Sequence, residues 1–185
     1  PGMAEWGYAH CLPYFRRMES CTAGDDDYRG REGPLILERG PASSPLFAAF
    51  FQAAQEAGYS TTDDVNGRCQ EGFAAFDRNI HRSRRWSAAR AYLHPVRHRQ
   101  NLEVVCRALA TRILFEGCRA VGAEYVVGGQ TQRALAGEVI CCGGSINSPQ
   151  LLQLSGVGSA AELEGIGVEP VHDLPGVGEN LQDHL

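Results

Sequence analysis

The run Glu138-Val139-Ile140-Cys141-Cys142-Gly143-Gly144-Ser145-Ile146-Asn147-Ser148-Pro149-Gln150-Leu151-Leu152-Gln153-Leu154 changes character twice. Residues 138–142 are almost continuously apolar or small, which predicts a strand buried on both faces, as in a parallel sheet. Gly143-Gly144 closes that strand. Ser148, as N-cap, and Pro149, at the first helical position, predict a helix over Gln150 to Leu154. Such a strand–Gly-Gly–helix unit offers free N–H groups and a positive dipole end, suited to phosphate or ribose oxygens. Ligands of open α/β sheets bind at strand ends of this kind. The pattern equally describes an ordinary βα turn, and no GxGxxG fingerprint accompanies it.

Upstream, the apolar periodicity predicts short strands at Leu102–Cys106, Leu109–Phe115, Ala120–Val127 and Arg133–Leu135. The Glu116-Gly117 and Gly128-Gly129 turns between them make these an antiparallel meander. Downstream, Ser155-Gly156-Val157-Gly158 ends the helix, and Ser159 caps another that reaches Gly165. Val168–Val171 is extended, and Pro175–Gly178 is a turn.

The first half reads differently. Tyr8–Glu19 carries Cys11, Leu12, Tyr14, Phe15 and Met18 on one broad face and predicts a short helix. Residues 20–33 read as a solvated loop, and Pro34–Glu38 as a strand. Ser44-Pro45 opens a helix that runs from Leu46 to Ala57 and stops at Gly58. Residues 59–72 read as loop. Ser87 caps a short helix, Ala88–Leu93, which ends before His94-Pro95.

The chain has 185 residues, with 17 basic and 22 acidic, a net charge of −5. Every basic residue is arginine, which excludes Schiff-base lysine chemistry and a P-loop within these residues. Residues 78–102 hold Arg78, Arg82, Arg84, Arg85, Arg90, Arg97 and Arg99 with no acid, around Trp86. That run could clamp phosphate, but in an acidic chain it reads as a solvated face balanced by loops such as Asp25–Asp27 and Asp63-Asp64. Nucleic acid is not the expected partner. No apolar run approaches the roughly 20 residues that span a bilayer.

Seven cysteines form no CxxC and read as reduced, buried thiols, with Cys141 and Cys142 too close in sequence to bridge without strain. His94 and His98 have a ligand-like spacing, but Pro95 interrupts any helix between them and no metal is expected. His184, beside Asp183, reads as structural rather than as a general base.

Ser145–Gly158 resembles the second signature of the glucose–methanol–choline (GMC) flavin oxidoreductases, and Pro175–His184 resembles the segment that follows it. Arg85–Leu93 and Asn101–Gly117 also fit. Gly33-Pro34-Leu35, Asn66-Gly67 and Gln70-Glu71-Gly72-Phe73 are most similar to the choline dehydrogenase branch. The resemblance runs through the chain in order.

It implies an α/β fold: part of an FAD-binding Rossmann-like domain with a β-meander, and part of a substrate-binding domain. Residues 1–100 correspond to inserted, substrate-side segments, 101–158 to the FAD-binding domain, and 159–185 to the start of the substrate-binding domain. The implied activity is FAD-dependent oxidation of an alcohol, choline-like or another primary alcohol, with hydride transfer to the flavin.

Family backbone contacts to adenine fall on Ala110, on the second predicted meander strand, and the glycine-bearing strand end falls on Gly143, Gly144 and Ser145. Cys141 and Cys142 stand where small residues such as alanine are usual. The fingerprint that holds the pyrophosphate is expected before Pro1 and the catalytic histidine after Leu185, so the chain reads as the middle of an enzyme, inactive alone, with no catalytic residue assigned. The electron acceptor, oxygen or a quinone, is open, and no cage for a quaternary ammonium assembles from these residues. The implied location is cytoplasmic or peripheral at the inner membrane. A hydroxynitrile lyase on the same fold and a non-catalytic nucleotide-binding remnant are the alternatives.

Overall fold

The computed structural model describes residues 3–184. Contacts divide the chain into two units, residues 1–103 and 104–185, each with its own architecture.

The first unit opens with α1 (Tyr8–Met18), which carries Pro13 inside it. Strand β1 (Glu19–Cys21) follows directly, taking the last residue of the predicted helix and the first two of the stretch read as a loop. It pairs in parallel with β2 (Leu35–Arg39), Glu19 opposite Leu35 and Cys21 opposite Leu37. Three residues are too few for a period-2 pattern, so the strand is visible only through its partner. Helix α2 (Pro45–Glu56) starts as predicted, with the Ser44 hydroxyl accepting the Leu46 N–H at 3.4 Å. Strand β3 (Asp77–Arg78) adds antiparallel to β2.

A small hairpin joins β4 (Ile80–His81) to β5 (Arg84–Arg85). Its two-residue loop puts Arg82 and Ser83 at φ 49° and 60°, the backbone of a type I′ turn without the usual Asn-Gly. Residues 89–93 form a π-helical turn, and His94–Val96 continue it as a 3₁₀ turn rather than ending it. Two long-range bonds tie this region to the rest of the unit. The Trp86 indole N–H donates to the Pro34 carbonyl at 2.8 Å, and the Tyr92 hydroxyl donates to the Met18 carbonyl at 3.3 Å.

The second unit is built on the meander β6 (Ala108–Glu116), β7 (Arg119–Val127) and β8 (Gln130–Leu135), paired antiparallel in that order. Gly128 and Gly129, at φ 59° and 78°, make the β7–β8 connection a type I′ turn that matches the strand twist. Two expected strands are absent. Leu102–Cys106 forms no ladder; Arg107, at φ 55°, turns the chain just before β6. An apolar extended run becomes a strand only beside another strand, and none of the described residues forms one along it. For the same reason Glu138–Cys142 forms no ladder among the described residues, and Ile140 is 77% exposed.

Helix α3 (Gly144–Leu154) starts four residues before Ser148, with Pro149 inside it. Ser148 therefore does not cap a helix ahead of it; its hydroxyl instead accepts the Gly143 N–H at 2.9 Å. Beyond α3, β9 (Val157–Gly158) pairs in parallel with β10 (His172–Asp173), enclosing α4 (Ala160–Gly165). The side chain that caps α4 is Asp173, whose Oδ1 accepts the Ala160 N–H at 3.0 Å, and not Ser159.

The thiols also depart from expectation. Cys21 is buried and Cys11 half-buried, whereas Cys69, Cys106, Cys118, Cys141 and Cys142 are exposed and free. Cys141 and Cys142 lie on the extended run that no strand covers.

Candidate functional site

In the second unit the predicted binding residues fall on two elements. Ala110 sits on β6, opposite Tyr125, where a register shift between Ala110 and Arg112 marks a bulge. With the expected strand at Leu102–Cys106 absent, Ala110 lies on the first meander strand, not the second. That makes β6 the edge of the sheet, with one row of backbone groups turned away from β7.

Gly143 precedes α3 as its N-cap, with its N–H on Ser148, and Gly144 and Ser145 open the helix, where backbone N–H groups have no backbone partner within it. Gly144 takes φ 90°, and no atom lies within 4 Å of where a Cβ would stand. The glycine serves the backbone turn and leaves the approach to the helix N-terminus open.

These two elements form one packed piece. Helix α3 lies against β6. At its end, Ser155 is 1% exposed. The Ser155 hydroxyl donates to the Leu151 carbonyl at 2.6 Å and accepts the Ile113 N–H at 2.8 Å. It thus meets the β6 edge where the sheet supplies no acceptor. Read in sequence, Ser155 was only the end of a helix; nothing there signalled a partner 42 positions away.

In the first unit the structure assembles a cluster that sequence reasoning missed. Arg29, 2% exposed, sits inside the stretch read as a solvated loop. It holds Glu19 through Nε at 2.8 Å and Nη2 at 3.1 Å, Asp64 through Nη1 at 2.9 Å, and Asp77 through Nη1 at 2.7 Å. Arg39 completes the group, with Nε 2.6 Å from Asp77 and Nη2 3.5 Å from Asp64.

Burial works against the Arg29 charge, but the bonds to Glu19 and Asp77 outweigh it and raise its pKa. Burial likewise pushes the Asp77 carboxyl up, while Arg39 and Arg29 overcome it and hold Asp77 below the usual carboxylate range. Burial raises the neighbouring Cys21 thiol. Asp64 is engaged here, so it does not balance the arginine run at 78–99. Trp86 packs edge-to-face on His81 at 5.3 Å rather than standing free as a stacking surface.

An open apolar groove lies between α2 and residues 72–76, lined by Phe47, Phe50, Phe51, Phe73 and Phe76. Arg78 lines it too, so the groove already carries a cation beside its aromatic rings and is ill-suited to a quaternary ammonium. Among the described residues no His, Cys, Asp or Glu cluster is arranged to hold a metal ion. No helix there is long and apolar enough to cross a membrane.

The family model described as GMC oxidoreductase matches residues 1–185. The chain belongs to the GMC oxidoreductase family. Among curated relatives, it is 55% identical over 186 residues to an oxygen-dependent choline dehydrogenase of Staphylococcus saprophyticus, covering 100% of this chain and 33% of that protein. It is also 55% identical over 185 residues to human mitochondrial choline dehydrogenase, covering 100% of this chain and 31% of that protein.

Among solved structures, this GMC chain superposes on pyridoxine 4-oxidase from Mesorbium loti with a TM-score of 0.90 at 33% identity, over 97% of this chain and 36% of that one. An FAD-dependent oxidoreductase from Chaetomium thermophilum matches with a TM-score of 0.88 at 30% identity, over 95% and 33%. The GMC chain therefore spans about a third of the length of the curated relatives it matches. The mixed α/β reading holds.

Proposed function

We propose that this chain forms part of the cofactor-holding body of an FAD-dependent oxidoreductase that acts on the CH–OH group of a small alcohol of the choline class. The observation that carries the reading is 55% identity, over the whole chain, to choline dehydrogenases from a bacterium and from human. The same relatives weigh against a lyase and against a nucleotide-binding remnant.

The residues fit the cofactor. The exposed β6 edge around Ala110 presents backbone donors and acceptors for an adenine ring, a form of recognition that needs no particular side chain. The open N-terminus of α3 presents the N–H groups of Gly144 and Ser145 and a positive dipole end to the cofactor's oxygens, while the Gly143 N–H is held by Ser148 and that glycine shapes the turn. FAD, when bound, supplies the oxidant that takes a hydride from the alcohol carbon. This chain's part is binding and orientation: β6 would hold the adenine end of the cofactor, and the start of α3 would hold oxygens further along it. Residues 159–185 begin the substrate-binding domain in this reading. No residue here is assigned as the base for the hydroxyl proton, and the electron acceptor is left open between oxygen and a quinone.

The test is a chimaera in which this chain replaces the matching third of the staphylococcal relative. The expected product purifies yellow and reduces an artificial dye when choline is added. A folded chimaera without flavin would overturn the cofactor assignment. A flavin-loaded one that answers to other alcohols but not choline would overturn the substrate class. The 185-residue chain alone is expected to give no turnover.

A further inference from the structure

Ser155 is the most deeply buried of the described polar side chains, and one of its two hydrogen bonds crosses from the end of α3 to strand β6 while the other anchors the hydroxyl to its own helix. It takes the Ile113 N–H from the β6 edge and gives its own proton to the Leu151 carbonyl in the last turn of α3. Ile113 lies three positions beyond Ala110 on the same strand, just past the bulge. Gly143–Ser145 lie at the other end of the helix that Ser155 terminates.

From these contacts we infer that Ser155 is a positioning residue: its hydroxyl sets the offset between strand β6 and helix α3, and so the spacing of the two cofactor anchors. This rests on the cofactor reading above and adds a residue that touches no cofactor in it. The bond is directional on both sides, unlike the apolar packing around it. A hydroxyl fixed to one strand N–H and one helix carbonyl favours a single register. Deleting it leaves the buried Ile113 N–H without an acceptor, so the helix must shift to recover one.

Positioning and mere support differ in what they do to ligands of different length. A ligand that spans both anchors depends on their spacing, because the second contact forms at an effective concentration set by geometry. One that uses a single anchor does not. The experiment titrates the flavin-stripped chimaera described above and its Ser155→Ala variant with FAD and with AMP, and follows Ile113 amide exchange in parallel.

The expected result is an FAD affinity weakened by about tenfold in Ser155→Ala, with AMP changed by less than about twofold and faster exchange at Ile113. Equal weakening of both ligands, or no change in either, would overturn the positioning role while leaving the cofactor reading standing. A parent chimaera that binds AMP and FAD equally overturns the spacing argument, and a folded one that binds neither overturns the cofactor reading and this inference together. If Ser155→Ala loses the meander's structure, Ser155→Cys keeps the volume with a weaker acceptor. It is then expected to lower the FAD-to-AMP ratio while holding the fold, and an unchanged ratio overturns the role.

Discussion

The two units solve the same problem, tying strands together, by opposite means. In residues 104–185 the tie is local: β6, β7 and β8 follow one another through two-residue turns, and nearly every pairing partner is a sequence neighbour. In residues 1–103 the tie is distant and ionic. One buried guanidinium gathers Glu19, Asp64 and Asp77 from a strand, a loop and another strand. The short strands there are too brief to hold by backbone pairing alone. A meander tolerates the loss of a side chain, because its backbone bonds remain. A hub does not, because three carboxylates lose a shared cation together and Arg39 reaches only two of them.

The sharpest way to break this contrast is Arg29→Met. It leaves Glu19 with no cation and Asp64 and Asp77 with Arg39 alone, and the loss of a partner from a buried ion pair costs about 3–5 kcal/mol. The expected outcome is unfolding or severe loosening of residues 3–103 while amide protection in the meander persists. Equal loss of protection in both units would show that the hub is not local to its unit.

Acid sharpens the same difference less severely. Asp77 titrates below its ordinary value in the fold, so its charge stabilises the first unit above about pH 3.9. That contribution is lost as pH falls through the folded value. Amide NMR during an acid titration is expected to show the first unit losing structure at a higher pH than the meander.

The smallest effect belongs to an exposed ion pair on the second unit's meander. Arg133 Nε lies 3.0 Å from Glu124 Oε2, but the Arg133 side chain is 67% exposed. Arg133→Gln is expected to cost only about 0.2–1 kcal/mol, and less in high salt, by thermal unfolding. A cost rivalling that of Arg29→Met would erase the distinction between the units.

What could be read ahead of the structure follows the same divide. The Ser44-Pro45 helix start and the three meander strands depend on neighbouring residues, and each was legible. Arg29 was not. An arginine followed by Gly30 and Arg31 in a polar segment looks solvated, and its partners lie 10, 35 and 48 positions away. The strand at Glu138–Cys142 was read from apolar continuity, which reports that a segment is suited to burial. Whether it joins a sheet depends on which strands lie beside it, and none of the described residues does.

The site divides likewise. Gly144 could be picked out because a glycine pair after an apolar run and before a helix start signals a backbone turn, and its φ of 90° is such a turn. That the helix begins at Gly144 itself, with Ser148 reaching back to Gly143, was not legible, since Ser-Pro ordinarily marks a start. By itself the sequence determined the family, through long colinear motifs, and the local elements, through capping residues, turn glycines and periodicity. Only the tertiary structure decided that Arg29 is a hub and Ser155 a tie. Each acts through partners that the folded chain alone brings within hydrogen-bonding distance.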